Sequence, residues 1–314
     1  MTKIITLTLS PAFDVHCFCE NFKPYHESLA SITSRDAGGK GVNISRALAQ
    51  NGVKNLAVVA LGKENCADFE AKLQADRITY QPIYRDGRIR ENITLHTNDA
   101  PETRISFSGF STDASLLAEA EEIIQSTLAK GDDAIVTFTG RVPSGIPMTE
   151  IKAFLCRLQA KGTRIVIDSK SFSAQDIFEV SPWLIKPNEE EIGDYASRTI
   201  RTEEDILAVA RELSANGIEN VMISYGAKGA ILVCPGGCFW AHPPKIEAIS
   251  TIGAGDSSIA GFLAATADKK APEEALLTAI AYGTAACMTE GTLPPKEEDV
   301  AQILPKIKLK ELPS

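Results

Sequence analysis

No stretch of this 314-residue chain reaches 18 uninterrupted apolar residues, so a membrane-spanning helix is not indicated. The opening MTKIITLTLSPAF has no long apolar core followed by a small-residue cleavage site. It reads as a first β-strand rather than a signal peptide. Positive charge is also in deficit: 32 Lys and Arg stand against 41 Asp and Glu, a formal net charge of −9. Such a surface repels phosphate backbones, which argues against nucleic acid and anionic membranes as partners. An anionic substrate would need a local cluster of cations. Zinc-ligand spacing is missing too. The seven cysteines (17, 19, 66, 156, 234, 238 and 287) form C-x-C and C-x₃-C pairs but no C-x₂-C, and no histidine is suitably spaced. The odd, scattered set reads as reduced thiols of a cytoplasmic protein. Internal repeats, low-complexity tracts and interdomain linkers are absent, and so is a Walker A loop. What remains, 44% apolar and 23% charged, is an ordinary globular chain long enough for one large core with a small appendage.

Short β-branched runs recur along it. Ile4–Leu9, Leu56–Leu61, Ala134–Phe138, Arg164–Ile167, Trp183–Ile185 and Val221–Ser224 do not alternate strictly, the mark of parallel strands covered on both faces. Helical patterns lie between them: Gly41–Gln50, Ala67–Gln74, Leu116–Ala129, Pro147–Ala160 and Glu203–Asn216, the last with Thr202 and Gly217 as a plausible cap pair. This βαβα order predicts an α/β doubly wound, mainly parallel sheet with right-handed crossovers. Residues 12–35 and 87–108 break the rhythm. They alternate polar and apolar and have no crossover helix, so they are expected to pair as a small β-sheet lid. The main α/β domain is then 1–11, 36–86 and 109–314.

Four motifs carry chemistry. Thr251-Ile252-Gly253-Ala254-Gly255-Asp256 precedes a small-residue helical stretch. The amides of Ala254, Gly255 and Asp256 would point outward at a helix N-terminus, which attracts phosphate. Asp256 sits where a general base could meet a hydroxyl, although an Asp cap on a Gly-rich turn looks the same. In Asp36-Ala37-Gly38-Gly39-Lys40-Gly41-Val42-Asn43, glycines let a ligand approach while Lys40 and Asn43 donate to it; the bland alternative is a helix-entry loop. Lys186-Pro187-Asn188-Glu189-Glu190-Glu191 follows a strand. Its Asn188 and Glu191 share a helix face and suit Mg²⁺ held through water, or simply stabilise a helix start. Ser224-Tyr225-Gly226-Ala227-Lys228-Gly229-Ala230 reads as a strand end close to a nucleotide, or as a β-turn between strands.

In this order and separation, the four motifs resemble the PfkB branch of the ribokinase family of carbohydrate kinases, over essentially the whole chain. SPAFD, AGGKGVN, KPNEEE, SYGAKGA and a late glycine in AACMTEGT place the resemblance nearest the 1-phosphofructokinase and tagatose-6-phosphate kinase branch. The resemblance implies a ribokinase-like fold and an ATP-dependent kinase. Asp256 is then the base, with Gly253, Ala254 and Gly255 as the anion hole. Asp14, Gly38, Gly39, Lys40 and Asn43 hold the sugar, and Arg90 meets a substrate phosphate. Lys186, Ser224, Gly226 and Gly229 lie on the nucleotide side, and Asn188 and Glu191 organise Mg²⁺. Phosphoryl transfer needs positioning and charge stabilisation more than covalent chemistry, which agrees with these residue types. The lid's exposed face is a candidate homodimer contact, as in some members of the family.

Some positions depart from the pattern. Ser10-Pro11-Ala12 replaces Asn-Pro-Ala, Leu29 stands where a basic residue is common, and Arg104 and Arg141 are additions. Arginine suits bidentate phosphate binding. With Arg88, Arg90 and Lys40, these could draw in a sugar phosphate, while Leu29 and Ser10 lean toward an uncharged sugar or nucleoside. A non-catalytic binding regulator would not need Asp256 behind the glycine pair.

Overall fold

The computed structural model describes residues 2–98, 102–196, 200 and 202–313. In chain order the elements are β1 (Lys3–Thr8), β2 (Ala12–Cys19), β3 (Ser31–Gly38), α1 (Lys40–Gln50), β4 (Leu56–Gly62), α2 (Cys66–Ala75), β5 (Tyr80–Arg85), β6 (Arg90–Thr97) and β7 (Thr103–Ser106). There follow α3 (Ser115–Thr127), β8 (Ala134–Thr139), α4 (Met148–Ala160), β9 (Arg164–Asp168), α5 (Ala174–Val180), β10 (Leu184–Ile185), α6 (Glu189–Ala196) and α7 (Glu203–Ala215). The chain ends with β11 (Asn220–Ser224), β12 (Ala230–Cys234), β13 (Gly237–His242), α8 (Ala254–Ala267), α9 (Pro272–Ala286), α10 (Glu297–Ile303) and β14 (Lys308–Leu312). None of the described helices is long and apolar enough to cross a membrane.

Ten strands form one sheet in the order β14-β13-β12-β11-β10-β9-β8-β1-β4-β5. All six runs expected as buried strands are in it, and β1, β4, β5 and β8 to β11 pair in parallel. Both faces are dry. In β1, Ile5 and Leu7 join a core cluster with residues of α3, α4 and α7, while Ile4 joins the cluster of α1, α8 and α9. This is why the runs lack alternation. The chain winds outward from β1 through β4 and β5, then returns to β8 on the other side of β1. That reversal opens a crevice at the carboxyl ends of the strands, the usual ligand position in open α/β sheets.

The antiparallel strands β13 and β14 were not anticipated, nor was β5, while β12 was implied only by the alternative of a turn between strands at Ser224–Ala230. Every residue of β12 is buried, so its pattern matches that of a parallel strand. The missed signal is Pro235-Gly236, a two-residue link between β12 and β13 that pairs Cys234 with Gly237.

The segments read as a separate sheet do form one, in the order β3-β2-β6-β7. It runs further than the pattern implied, since β3 continues to Gly38. One face places Phe13 and Val15 on Phe69 and Leu73 of α2. The other presents Asp14 and His16 with their register partners Asn92 and Thr94.

Candidate active site

The first wall is the start of α8. Gly253 caps this helix at φ 79°, a left-handed conformation that costs glycine little and other residues more. The turn leaves the Gly255 and Asp256 amides without an acceptor among the described residues, while Ser257 N–H is used by the Gly253 carbonyl at 2.9 Å. Two free amides at the positive end of a 14-residue helix make a ready anion site. The buried Lys186 ammonium adds charge there, close enough that a Cβ on Gly255 would lie 3.1 Å from Nζ.

Asp256 is 7% exposed, and Asn43 of α1 donates to its Oδ2 from Nδ2 at 2.8 Å. Burial pushes its pKa up to about 6; Lys40 partly offsets this and the Asp168 carboxylate adds to it. A carboxylate tuned to that range suits a general base near neutral pH.

Asp168, at the end of β9, was missed in the sequence. Its Oδ2 accepts from Lys40 Nζ at 2.8 Å and lies 3.9 Å from Lys186 Nζ. Burial would raise its pKa, but Lys186 and Lys40 more than compensate and hold it below the usual carboxylate range. For Lys40, burial pulls the other way, yet Asp168 and Asp256 outweigh it and keep the ammonium firmly charged. The available signal was an aspartate ending a buried strand, at the edge where a doubly wound sheet places its ligands.

On the small sheet, Asp14 accepts from Asn92 Nδ2 at 2.9 Å. A Cβ on Gly38 would fall 2.1 Å from Asp14 Oδ2, so any larger residue there would push that carboxylate from its place. Gly39 caps α1, bringing Lys40 and Asn43 onto its first turn. Arg90 lies at the start of β6, where Nη1 donates to Asn92 Oδ1 at 3.1 Å. Its Nε is buried without a partner. Burial and the neighbouring Arg141 guanidinium lower its pKa, and Asp14 opposes them. Arg141 sits in the loop after β8, exposed, beside Gly140, whose hypothetical Cβ would be 3.8 Å from Lys40 side-chain carbons. The structure thus brings Arg90, Arg141 and Asp14 together. Arg104 lies on the same face but is exposed on β7, the outer strand, opposite Thr94 and two register positions beyond the Asn92 pair.

A cleft of about 1370 Å³ opens on the far side of Gly255. Lys186, Ser224, Gly226 and Gly229, the residues assigned to a nucleotide, all line it, with Pro243, Ile246 and Cys287 forming apolar wall. The Gly226 region is also the turn that the bland reading described, joining β11 to antiparallel β12. Asn188 and Glu191 likewise do what their bland reading asks: Asn188 N–H donates to Glu191 Oε2 at 2.9 Å and Glu191 N–H donates to Asn188 Oδ1 at 2.8 Å. This reciprocal cap starts α6. It leaves Glu191 Oε1 beside Lys170 at 3.8 Å. Asn188 itself also lines the cleft. Among the described residues, no group of three or more His, Cys, Asp or Glu forms a metal cage.

A doubly wound sheet, a helix start with two free amides, a buried carboxylate and an adjoining cleft are together the parts that a phosphotransferase uses. Residues 1–299 match the pfkB family of carbohydrate kinases, and the chain belongs to that family. It is 30% identical to 1-phosphofructokinase of Escherichia coli strain K12 over 285 residues, 90% of each chain. It is 30% identical to the Bacillus subtilis strain 168 1-phosphofructokinase over 312 residues, 98% of this chain and all of that one. The fold matches that of phosphofructokinase-2 from Escherichia coli with a TM-score of 0.90 at 24% identity, covering 98% of this chain and 99% of the other. Family membership makes this an ATP-dependent phosphotransferase.

Proposed function

We propose that the chain transfers the terminal phosphoryl group of ATP to a hydroxyl of a sugar phosphate, with fructose 1-phosphate the first candidate and tagatose 6-phosphate the second. The observation that carries this is the Arg90–Arg141 pair. Two guanidinium groups stand close enough to repel, one with a buried, unpartnered Nε, and no carboxylate within ion-pair distance of either among the described residues. An anion between them would relieve the repulsion and satisfy Nε. The sugar is held by Asp14, Lys40 and Asn43, with its reacting hydroxyl at Asp256. Asp256 takes the proton as the phosphoryl group arrives on the Gly255 and Asp256 amides. Lys186 and Lys40 balance the developing charge, and Asp168 fixes both ammonium groups. Assaying ATP with fructose 1-phosphate, tagatose 6-phosphate, fructose 6-phosphate and the free sugars tests the assignment. Preference for an unphosphorylated sugar would overturn it. Seven free cysteines fit a reducing cytoplasmic setting.

Mg²⁺ fits this site as an ion held mainly by phosphates and water. Glu191 Oε1 takes no part in the α6 cap, and Glu189, Glu190 and Asp194 add negative charge to the cleft wall. The ion would neutralise phosphate charge. Glu191→Gln keeps the capping geometry, because Gln also closes the box. The expected outcome is an unchanged melting temperature with a several-fold higher Mg²⁺ requirement. An unchanged requirement would leave Glu191 with its helix-capping role alone.

The small sheet is proposed to close over the sugar. Closure would exclude water and suppress ATP hydrolysis. Its outer apolar row, with Ile32 66% and Ile105 47% exposed, would seat a second copy of this chain. Hydrogen exchange separates the two ideas. Sugar phosphate plus a non-hydrolysable ATP analogue should slow exchange around Asp14 and Asn92, whereas raising the protein concentration should slow it around Ile32 and Ile105. Protection confined to the main sheet would refute closure, and concentration-independent exchange would refute the dimer.

A further inference from the structure

Asn43 joins Asp256 to α1, and a side-chain amide has two ends of similar shape and opposite hydrogen-bonding character. Its NH₂ end stabilises a carboxylate. Its oxygen end would require a proton on Asp256. One turn along the helix, Arg46 Nη1 donates to Asn43 Oδ1 at 3.1 Å. A guanidinium has five donors and no acceptor, so it can face only the oxygen end. Among the described residues no other donor reaches that oxygen. Arg46 is itself clamped: Nε donates to Asp76 Oδ2 at 2.7 Å, and Nη2 donates to the Ala37 carbonyl. The Arg46 side chain is only 6% exposed, so water offers little competition.

We propose that Arg46 is a positioning residue for phosphoryl transfer. It locks the Asn43 amide with NH₂ toward Asp256, which keeps the base ionised and leaves its second oxygen for the acceptor hydroxyl. The inference rests on the reading of Asp256 as the base. The other charged groups facing Asp256 are Lys40 on α1, Asp168 at the end of β9 and Lys186 beyond β10. Lys40 and Lys186 favour the ionised form and Asp168 opposes it, so the Asn43 contact adds to a balance already close to neutral pH. Without Arg46 the amide is free to turn, and the balance shifts toward the protonated acid.

The test is the pH profile of kcat for Arg46→Met and Arg46→Lys against the unaltered enzyme, on one sugar phosphate so that substrate titration cancels. Arg46→Met should raise the midpoint of the acid limb by about one pH unit. The loss should be roughly 5- to 10-fold near the wild-type midpoint and should fade at alkaline pH. Arg46→Lys should recover part of the shift, since an ammonium also only donates. A folded Arg46→Met protein with an unmoved midpoint and a uniform loss would overturn the proposal and leave Arg46 as a tie between α1, the end of α2 and β3. If Arg46→Met does not fold, Asp76→Asn, which loosens the clamp but keeps the guanidinium, is read the same way: a raised midpoint supports the proposal and an unmoved one overturns it. Asp256→Asn separates the two levels. Near-normal kcat there removes the base assignment itself, whereas an inactive Asp256→Asn with an unmoved Arg46→Met midpoint removes only the role of Arg46.

Discussion

Asp256→Asn is expected to lower kcat by about 10²- to 10⁴-fold, the usual range for a positioned general base, while making the empty enzyme more stable at neutral and alkaline pH. Both effects come from one cause. Asp256 is buried, and burial raises its pKa from the ordinary 3.8 to about 6. Below pH 4 the group is protonated whether the chain is folded or not, so it contributes no difference. Between pH 4 and 6 the unfolded chain ionises it first, and stability falls as pH rises. Above pH 6 the folded protein carries the full penalty of a buried charge, about 3 kcal/mol for two pKa units before the neighbouring lysines relax around it. Asparagine is neutral throughout and can still accept from Asn43. Thermal melting of both proteins across this pH window, beside kcat, checks the pair of expectations. A folded Asp256→Asn enzyme with near-normal kcat would remove the base assignment. An equal loss of stability at every pH would mean that the residue serves packing instead. For the unaltered enzyme, kcat should rise with pH through about 6 as the base loses its proton.

Replacing Arg141 by alanine should cost roughly 10- to 150-fold in kcat/KM for a phosphorylated sugar, the equivalent of one charge-assisted hydrogen bond of about 1.5–3 kcal/mol. For the unphosphorylated parent the loss should be far smaller. Arg141 is the cleaner of the two positions, because it is exposed and has no ion-pair partner among the described residues. Arg90→Ala should show the same preference, but it also removes contacts to Asn92, the Phe107 carbonyl and the Ser10 carbonyl. Of the carboxylates that could make these arginines ordinary surface pairs, Glu91 pairs with Arg35 and Asp132 with Lys3, and among the described residues Glu102 forms no ion pair with Arg90, Arg104 or Arg141. The overall charge of −9 does not supply the balance either, since solvent screens charges beyond about 8–10 Å. Equal losses on both substrates, or none on either, would sink the phosphate-reading role and favour an uncharged acceptor. Arg104, two register positions away and exposed on an edge strand, should tolerate alanine with little change.

The sequence by itself determined the doubly wound sheet, because burial on both faces removes alternation from β1, β4 and β8 and leaves runs that only a covered parallel strand explains. It also determined the glycine-defined turns at Gly39 and Gly253, since a left-handed cap restricts residue choice locally. Tertiary structure decided the rest. Strand direction at β12 to β14 was not legible, since an apolar run is the same read either way and only its neighbours set its polarity. Arg104 and Arg141 looked equivalent as isolated arginines until register placed one on the outermost strand of the small sheet, opposite Thr94, and a loop brought the other to Arg90. Asp168 and Arg46 carried no motif of their own. Asp168 acts through Lys40, 128 residues away, and Arg46 through Asn43 to Asp256, 213 residues from that asparagine. A hydrogen bond depends on distances of a few tenths of an ångström, whereas sequence patterns report only which face of an element is dry. Pairings between distant elements therefore become visible only when the sheet has set their separation.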